Sequence, residues 1–284
     1  MNFKAIIQKI QGFTNEVNRI WLTARPTQQA AALSYYGMFS LAPMLFIALS
    51  VAGLVLDQAI VTGQLLDMVE RFLGPEVAQF VYNAIVEIAN NRVAGSRLAT
   101  VIGSLALLYA AGGLFFEMQY SLNAIWEVPP ITLSGWGAYF RRYLFSFMLV
   151  IALGLLLSAL AIFSLLASSL GGFFDTSLRL PLGNALTLWL VMTLSFAALY
   201  RFVPDARVHW RSALAGGGLA ALLLTLGATL LALLFQWGFS FSALAAAGAV
   251  AILLTALYYA VQIFLLGAII TRVLGARYLQ PDDR

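Results

Sequence analysis

The sequence has no cysteine, a single histidine and few charged residues. Of its 284 residues, 62% are apolar and only 10% are charged, whereas about a quarter of a typical soluble domain is charged. Without cysteine there is no disulfide and no thiolate-bound metal or cluster. A dinuclear metal hydrolase needs several histidines and carboxylates at fixed spacing. We therefore expect no catalytic residue, no metal and no cofactor.

Motifs that bind nucleotides or activate a serine nucleophile are also missing, namely GxxxxGK[ST] and GxSxG. The run Gly216-Gly217-Gly218 opens an apolar stretch without a following lysine. It therefore predicts close contact between helices rather than phosphate binding. A net charge of +4 is too small a basic field for nucleic acid. The first 21 residues lack the features of a cleaved signal peptide, so the first span is expected to direct insertion.

What the sequence does contain is six long apolar runs. About 20 helical residues cross the roughly 30 Å of hydrocarbon in a bilayer, and a chain in lipid must satisfy its own backbone polar groups. The sequence therefore predicts an all-α polytopic membrane protein whose residues 1–284 form one membrane domain. Its six transmembrane helices are expected near residues 30–56, 98–116, 143–169, 182–203, 213–235 and 243–270.

The placement of lysine and arginine predicts the orientation of these spans. Twelve of the 16 basic residues fall on the side that holds both termini, and four fall on the other side. Because basic residues stay on the cytoplasmic side, we expect a multi-pass protein of the bacterial inner membrane with both termini in the cytoplasm. Five of the six tryptophans lie at predicted span ends, where indole rings favour the headgroup region.

Two segments outside the spans have helical periodicity of apolar residues. Residues 1–25 predict a basic amphipathic helix on the cytoplasmic leaflet, in contact with anionic lipids. Residues 57–97 carry two apolar stripes broken at Gly74-Pro75. This pattern predicts a helical hairpin on the outer side.

Polar residues inside predicted spans are costly unless they are paired or hydrated, and they often mark function. Tyr36, Ser40 and Pro43 share one face of the first span, and Glu117 and Asn123 follow the second. Two other interpretations stay open. The first-span residues can form a packing kink with satisfied hydroxyls, and Glu117 can be a solvated carboxylate at the interface.

The segment from Tyr200 to Arg211 is basic and aromatic, which favours contact with phosphate-bearing headgroups. Membrane lipids are the expected partners. We predict headgroup contacts for the following residues of the two cytoplasmic loops: Arg141, Arg142, Arg207, Trp210 and Arg211.

Four motifs resemble the YihY/virulence factor BrkB family of six-span bacterial membrane proteins, some of which were once labelled ribonuclease BN. They are ALSYYGMFSLAP at residues 32–43, LNAIW at residues 122–126, YRFVP at residues 200–204 with Trp210-Arg211, and Gly267-Ala268. The missing metal ligands argue against a nuclease here. The chain departs from the family at Phe241-Ser242, where Tyr-Gly is frequent, and at Ile269, where glutamate is frequent. The resemblance implies serum resistance and transport of lipids or solutes.

Taken together, these features predict a transporter-like protein with an internal polar cavity that binds or moves a lipid or another amphipathic or anionic molecule. The predicted path is lined by Tyr36, Ser40, Pro43, Glu117, Asn123 and Arg201. Because there is no ATP motif, active transport would need an ion gradient or a partner. The alternative is a non-transporting membrane scaffold or envelope-integrity subunit. A homo-oligomer and an envelope partner both stay open.

Overall fold

All regular secondary structure in the described part of the chain is helical. The computed structural model describes residues 3–52, 58–94, 113–129, 181–236 and 245–278, and no strand occurs among them. The helices are α1 (Phe3–Ala24), α2 (Pro26–Ala52), α3 (Gln58–Leu73), α4 (Pro75–Ala94), α5 (113–125), α6 (Pro181–Phe202), α7 (Trp210–Gln236) and α8 (Ala245–Tyr278). The predicted all-α architecture is confirmed. The third predicted span and most of the second lie outside the described residues.

Two short breaks separate neighbouring helices, and each has a local cause. Between α1 and α2, Arg25 has φ 48°, and Pro26 begins α2 at the position where a missing amide hydrogen costs nothing. Between α3 and α4, Gly74 has φ 88°, a conformation that glycine adopts without a Cβ clash. The segment predicted to be a hairpin thus forms two helices that meet at Gly74.

The long helix α8 connects two clusters of buried apolar residues. Near its beginning, Ala249 and Leu253 pack against Val77 and Val81 of α4. Near its end, residues 264–273 join a larger cluster that draws on α1, α2, α5, α6 and α7. The hairpin contact at Ala249 and the far end near Arg272 are about 35 Å apart at 1.5 Å per residue, roughly the thickness of a bilayer. The side of the membrane on which the hairpin lies stays a prediction.

Glycines bring α6, α7 and α8 into very close contact. A Cβ on Gly217 would lie 2.8 Å from the carbonyl oxygen of Thr193 and 2.9 Å from the backbone nitrogen of Ala197. A Cβ on Gly267 would lie 2.7 Å from the Cβ of Ala220. The buried hydroxyl of Tyr200 donates a hydrogen bond of 2.7 Å to the carbonyl oxygen of Phe264. The prediction that the triple-glycine run permits close helix contact is therefore confirmed.

Two helices in the described residues are long and apolar enough to cross a membrane, Trp210–Leu230 and Gly248–Ala276. On α7, Leu222, Leu226 and Leu230 are exposed and recur every four residues, which places them on one face. Such an apolar ridge suits contact with lipid. The number of spans, six, stays a prediction.

Candidate functional site

Four segments predicted to be cytoplasmic meet at one end of the helices. They are the second half of α1, the end of α5 with residues 126–128, the loop 203–209 between α6 and α7, and the last turns of α8. We call this region the four-segment junction. Its buried centre contains Ile20, Leu122, Val203 and Val273. The same cluster also holds Ile125, so apolar packing brings the polar groups around it close together.

Asn123 and Asp205 form a reciprocal pair in the junction. The Asn123 Nδ2 atom donates to Asp205 Oδ2 at 2.8 Å, and the backbone N–H of Asp205 donates to Asn123 Oδ1 at 2.8 Å. The Gln119 Nε2 atom lies one helical turn earlier, 3.3 Å from each carboxylate oxygen of Asp205. The predicted path residue Asn123 thus fastens the loop 203–209 to α5, and the sequence analysis gave no role to its partner Asp205.

Glu127 connects three segments of the junction by charge. Its Oε2 atom lies 2.9 Å from Arg272 Nη2, and its Oε1 atom lies 3.4 Å from Arg19 Nη1. Arg272 Nη1 also donates to the carbonyl oxygen of Ile125. The hydrogen bond from Arg272 lowers the pKa of Glu127 below its usual range, with a smaller contribution from Arg19. The pKa of Glu16 is lowered in the same way by its hydrogen bond with Arg19, at 2.7 Å.

These lowered pKa values predict how the junction responds to pH. Because the folded-state pKa of Glu127 lies below its unfolded value of about 4.3, its ion pairs stabilise the fold above that value and are lost as the pH falls through the folded-state pKa. We expect the wild type to melt about 1–2 °C above Glu127→Gln at pH 6, since half-exposed pairs contribute little. That difference should shrink progressively as the pH falls below the unfolded value.

The measurement is the thermal midpoint of the detergent-solubilised protein at pH 6 and at a series of lower pH values. Glu70→Gln is the control, because it removes an exposed carboxylate of α3 outside the junction. A difference between wild type and Glu127→Gln that does not shrink as the pH falls would contradict the proposed ion-pair linkage.

The loop between α6 and α7 exposes basic and aromatic side chains. The Arg201 guanidinium carbon lies 5.6 Å from the centre of the Trp210 ring, within range of a cation–π contact, and Phe202 packs edge-on against the same ring. Arg207, Trp210 and Arg211 are exposed. Neither Arg207 nor Arg211 has an ion pair in the described part of the chain. The other predicted headgroup contacts, Arg141 and Arg142, lie outside the described residues.

The predicted path residues of α2 have different surroundings. The Tyr36 ring is partly exposed and lies against Gly113 of α5, where an added Cβ would be 3.0 Å from Tyr36 Cδ1. Ser40 is buried, and its hydroxyl donates to the carbonyl oxygen of Gly37 at 2.9 Å. Pro43 lies inside α2, which continues to Ala52. The structure therefore brings Tyr36 to α5, whereas Arg201 lies beside Trp210.

Helix α5 carries polar side chains on two nearly opposite faces. Gln119 and Asn123 face the loop 203–209 and bind Asp205. Glu117 and Ser121 lie about 200° away around the helix. Glu117 is half-buried, with no ion pair in the described residues. Ser121 is completely buried, and its Oγ atom has no hydrogen-bond partner in the part of the chain that the structure describes. Within those residues, one polar face is thus satisfied and the other is not.

Sequence reasoning overlooked Ser121 and Gln29, whose buried Oε1 atom also lacks a partner among the described residues. Ser121 follows Glu117 by four residues, a spacing that places both on one face of a helix. The sequence therefore contained a signal for this polar face. No comparable signal identified Gln29.

Comparison with known proteins identifies relatives along most of the chain. A protein from Vibrio parahaemolyticus named as a UPF0761 membrane protein is 30% identical over 277 residues, which cover 91% of this chain and 81% of the relative. A namesake from Vibrio cholerae is 28% identical over 228 residues, covering 77% of this chain and 71% of the relative.

A third UPF0761 membrane protein, from Nitrosospira multiformis, is 29% identical over 201 residues. The match spans 69% of this chain and 45% of that relative. No solved structure matches the chain. The family model described as virulence factor BrkB matches residues 19–283. The chain therefore belongs to the BrkB virulence-factor family and, like the relatives named above, is a membrane protein.

Proposed function

We propose that this membrane protein binds a phosphate-bearing lipid or similar amphipathic anion at the four-segment junction and moves it across the membrane through an internal polar cavity. The observation that carries the proposal is the loop between α6 and α7, where Arg207 and Arg211 are exposed and Trp210 lies between them. Guanidinium groups bind phosphate oxygens through paired hydrogen bonds. Indole rings favour the depth at which those phosphates lie.

The contacts around this loop favour lipid binding over the alternative that its arginines only keep the protein surface hydrated. Asn123 and Asp205 hold the loop against α5, so its arginines are presented from a fixed base. Arg201 lies against the Trp210 ring, which adds a third positive charge beside the two exposed arginines. On α2, the rings of Tyr35, Tyr36 and Phe39 are exposed, and the Tyr35 ring contacts the other two, so they form an aromatic surface. An acyl chain could follow that surface.

The test of binding compares a lipid that carries a phosphate-containing headgroup with one that has none. Purified protein in detergent is titrated with short-chain phosphatidylglycerol and with a diacylglycerol of the same chain length. Each arginine near a charged surface contributes about 1 kcal/mol, so Arg207→Gln should weaken phosphatidylglycerol binding about fivefold. Arg97→Gln, which removes the same charge on the predicted outer side, is the matched control. Equal binding of both lipids by the wild type would refute the proposal.

Movement is tested separately in vesicles that contain a headgroup-labelled phospholipid, by quenching the label from outside. The wild type should move lipid faster than protein-free vesicles, and Arg207→Gln should slow that movement.

The scaffold alternative has one specific observation in its favour, namely the tight packing of α6, α7 and α8 around Gly217 and Gly267, since such packing suits a static support. If the wild type binds phosphatidylglycerol without moving the labelled lipid, that alternative replaces transport.

A further inference from the structure

Helices α2 and α5 carry three polar groups that have no partner among the described residues: Gln29 Oε1, the Glu117 carboxylate and Ser121 Oγ. The two helices touch at Tyr36 and Gly113, and we call the surfaces that face each other from this contact the α2–α5 seam. We propose that this seam binds a small monovalent cation together with its water, at the carboxylate of Glu117 and the oxygens of Ser121 and Gln29.

Two contacts fix how the helices face each other. Tyr36 lies against Gly113, and Gly37 faces Leu114. At the other end, Glu127, just after α5, reaches Arg19, which precedes α2. The helices are therefore antiparallel. Moving along each helix from the contact between Tyr36 and Gly113 sets the register of the residues beyond it.

In that register, Gln29 and Ser121 lie at the same level. Gln29 is seven residues before Tyr36, and Ser121 is eight residues after Gly113, which correspond to about 10 and 12 Å along the helix axes. Gln29 and Tyr36 share one face of α2, and Gly113, Glu117 and Ser121 share one face of α5. Gln29 Oε1 and Ser121 Oγ, which have no partner among the described residues, thus belong to facing surfaces at one height.

Two buried polar atoms without partners at one height indicate a ligand rather than two unrelated defects, because buried polar groups in native proteins are nearly always hydrogen-bonded. Both atoms accept hydrogen bonds or coordinate cations through oxygen. Glu117, one turn from Ser121, is half-buried and has no ion pair in the described residues. It supplies one negative charge, which a single positive charge balances.

Oxygen ligands and one carboxylate suit sodium ion or another hard monovalent cation. A divalent cation would need more carboxylates. Among the described residues no group of three histidine or acidic side chains is placed to bind a metal. The satisfied face of α5, with Gln119 and Asn123 on Asp205, keeps the helix in place when the seam is empty or filled. Cation binding in the seam needs no lipid, so it stands apart from the function proposed above.

The experiment measures the thermal midpoint of the purified protein in detergent during titration with sodium chloride, at constant ionic strength maintained with choline chloride. We expect sodium to stabilise the wild type and choline to have no effect. Ser121→Ala removes one ligand and is nearly the same size as serine, so it should fold. It should raise the half-saturating sodium concentration at least tenfold, and Glu117→Gln should abolish the response.

Asp67→Asn is the control, because it removes an exposed carboxylate of α3 and should leave the sodium response unchanged. If Ser121→Ala responds to sodium like the wild type, the seam is not the binding site. If the wild type is not stabilised by sodium, lithium or potassium, the proposal is overturned. If Glu117→Gln fails to fold, the comparison of Ser121→Ala with the wild type still decides the question.

Discussion

Asn123→Asp should lower the free energy of unfolding by about 2 kcal/mol, because it removes the amide that donates to Asp205 and places a second carboxylate beside the first. The pair is partly exposed, so solvent moderates the repulsion. The expected result is a thermal midpoint about 5 °C below that of the wild type. Detachment of the loop 203–209 should also increase its cleavage by trypsin at Arg207.

The exchanged pair provides the decisive control. In the double variant Asn123→Asp with Asp205→Asn, the amide at position 205 can donate to the carboxylate at position 123. The carboxylate still accepts the backbone N–H that Asn123 Oδ1 accepts in the wild type. We therefore expect the double variant to recover most of the lost stability. If the double variant lost as much stability as the two single variants lose together, the reciprocal pair would not hold the loop.

Gly217→Ala should produce a loss of similar size at the close contact between α6 and α7. The new methyl group would meet backbone atoms at 2.8 and 2.9 Å, and backbone cannot move aside like the end of a side chain. Overpacking costs about 3 kcal/mol in such a site, and the higher helix propensity of alanine returns about 1 kcal/mol. The net loss of about 2 kcal/mol is measured by thermal unfolding in detergent.

Gly12→Ala is the matched control, because Gly12 lies inside α1 with nothing within 4 Å of an added Cβ. That change should leave the protein as stable as the wild type or raise its stability by about 1 kcal/mol. If Gly217→Ala and Gly12→Ala behaved alike, the close helix contact would not contribute to stability as described.

Periodicity and composition were sufficient to predict the helical architecture, since apolar runs of this length have few alternatives in a membrane. The break at Gly74-Pro75 was also predictable, because the apolar stripe of the sequence is interrupted there. The extent of α8 was not predictable. The helix continues to Tyr278, eight residues beyond the predicted end of the sixth span, because helical propensity does not stop where hydrophobicity falls.

The candidate site was only partly predictable. Asn123 was singled out as a polar residue near a span, but its partner Asp205 is 82 residues away, and a single sequence contains no signal for such pairing. Ion pairs such as that between Glu127 and Arg272 have the same limitation. The lack of a partner for Ser121 among the described residues could not be predicted. It depends on which side of α5 meets α2, and helical periodicity alone does not determine that tertiary relation.

The continuity of α8 has a mechanical consequence. One helix of 34 residues carries the hairpin contact at Ala249 and Leu253 near one end and the Glu127 ion pair through Arg272 near the other. An unbroken helix tilts as a rod instead of bending at a joint. A molecule that pushes the hairpin sideways would therefore swing Arg272 at the opposite end of the helix and disturb its ion pair with Glu127.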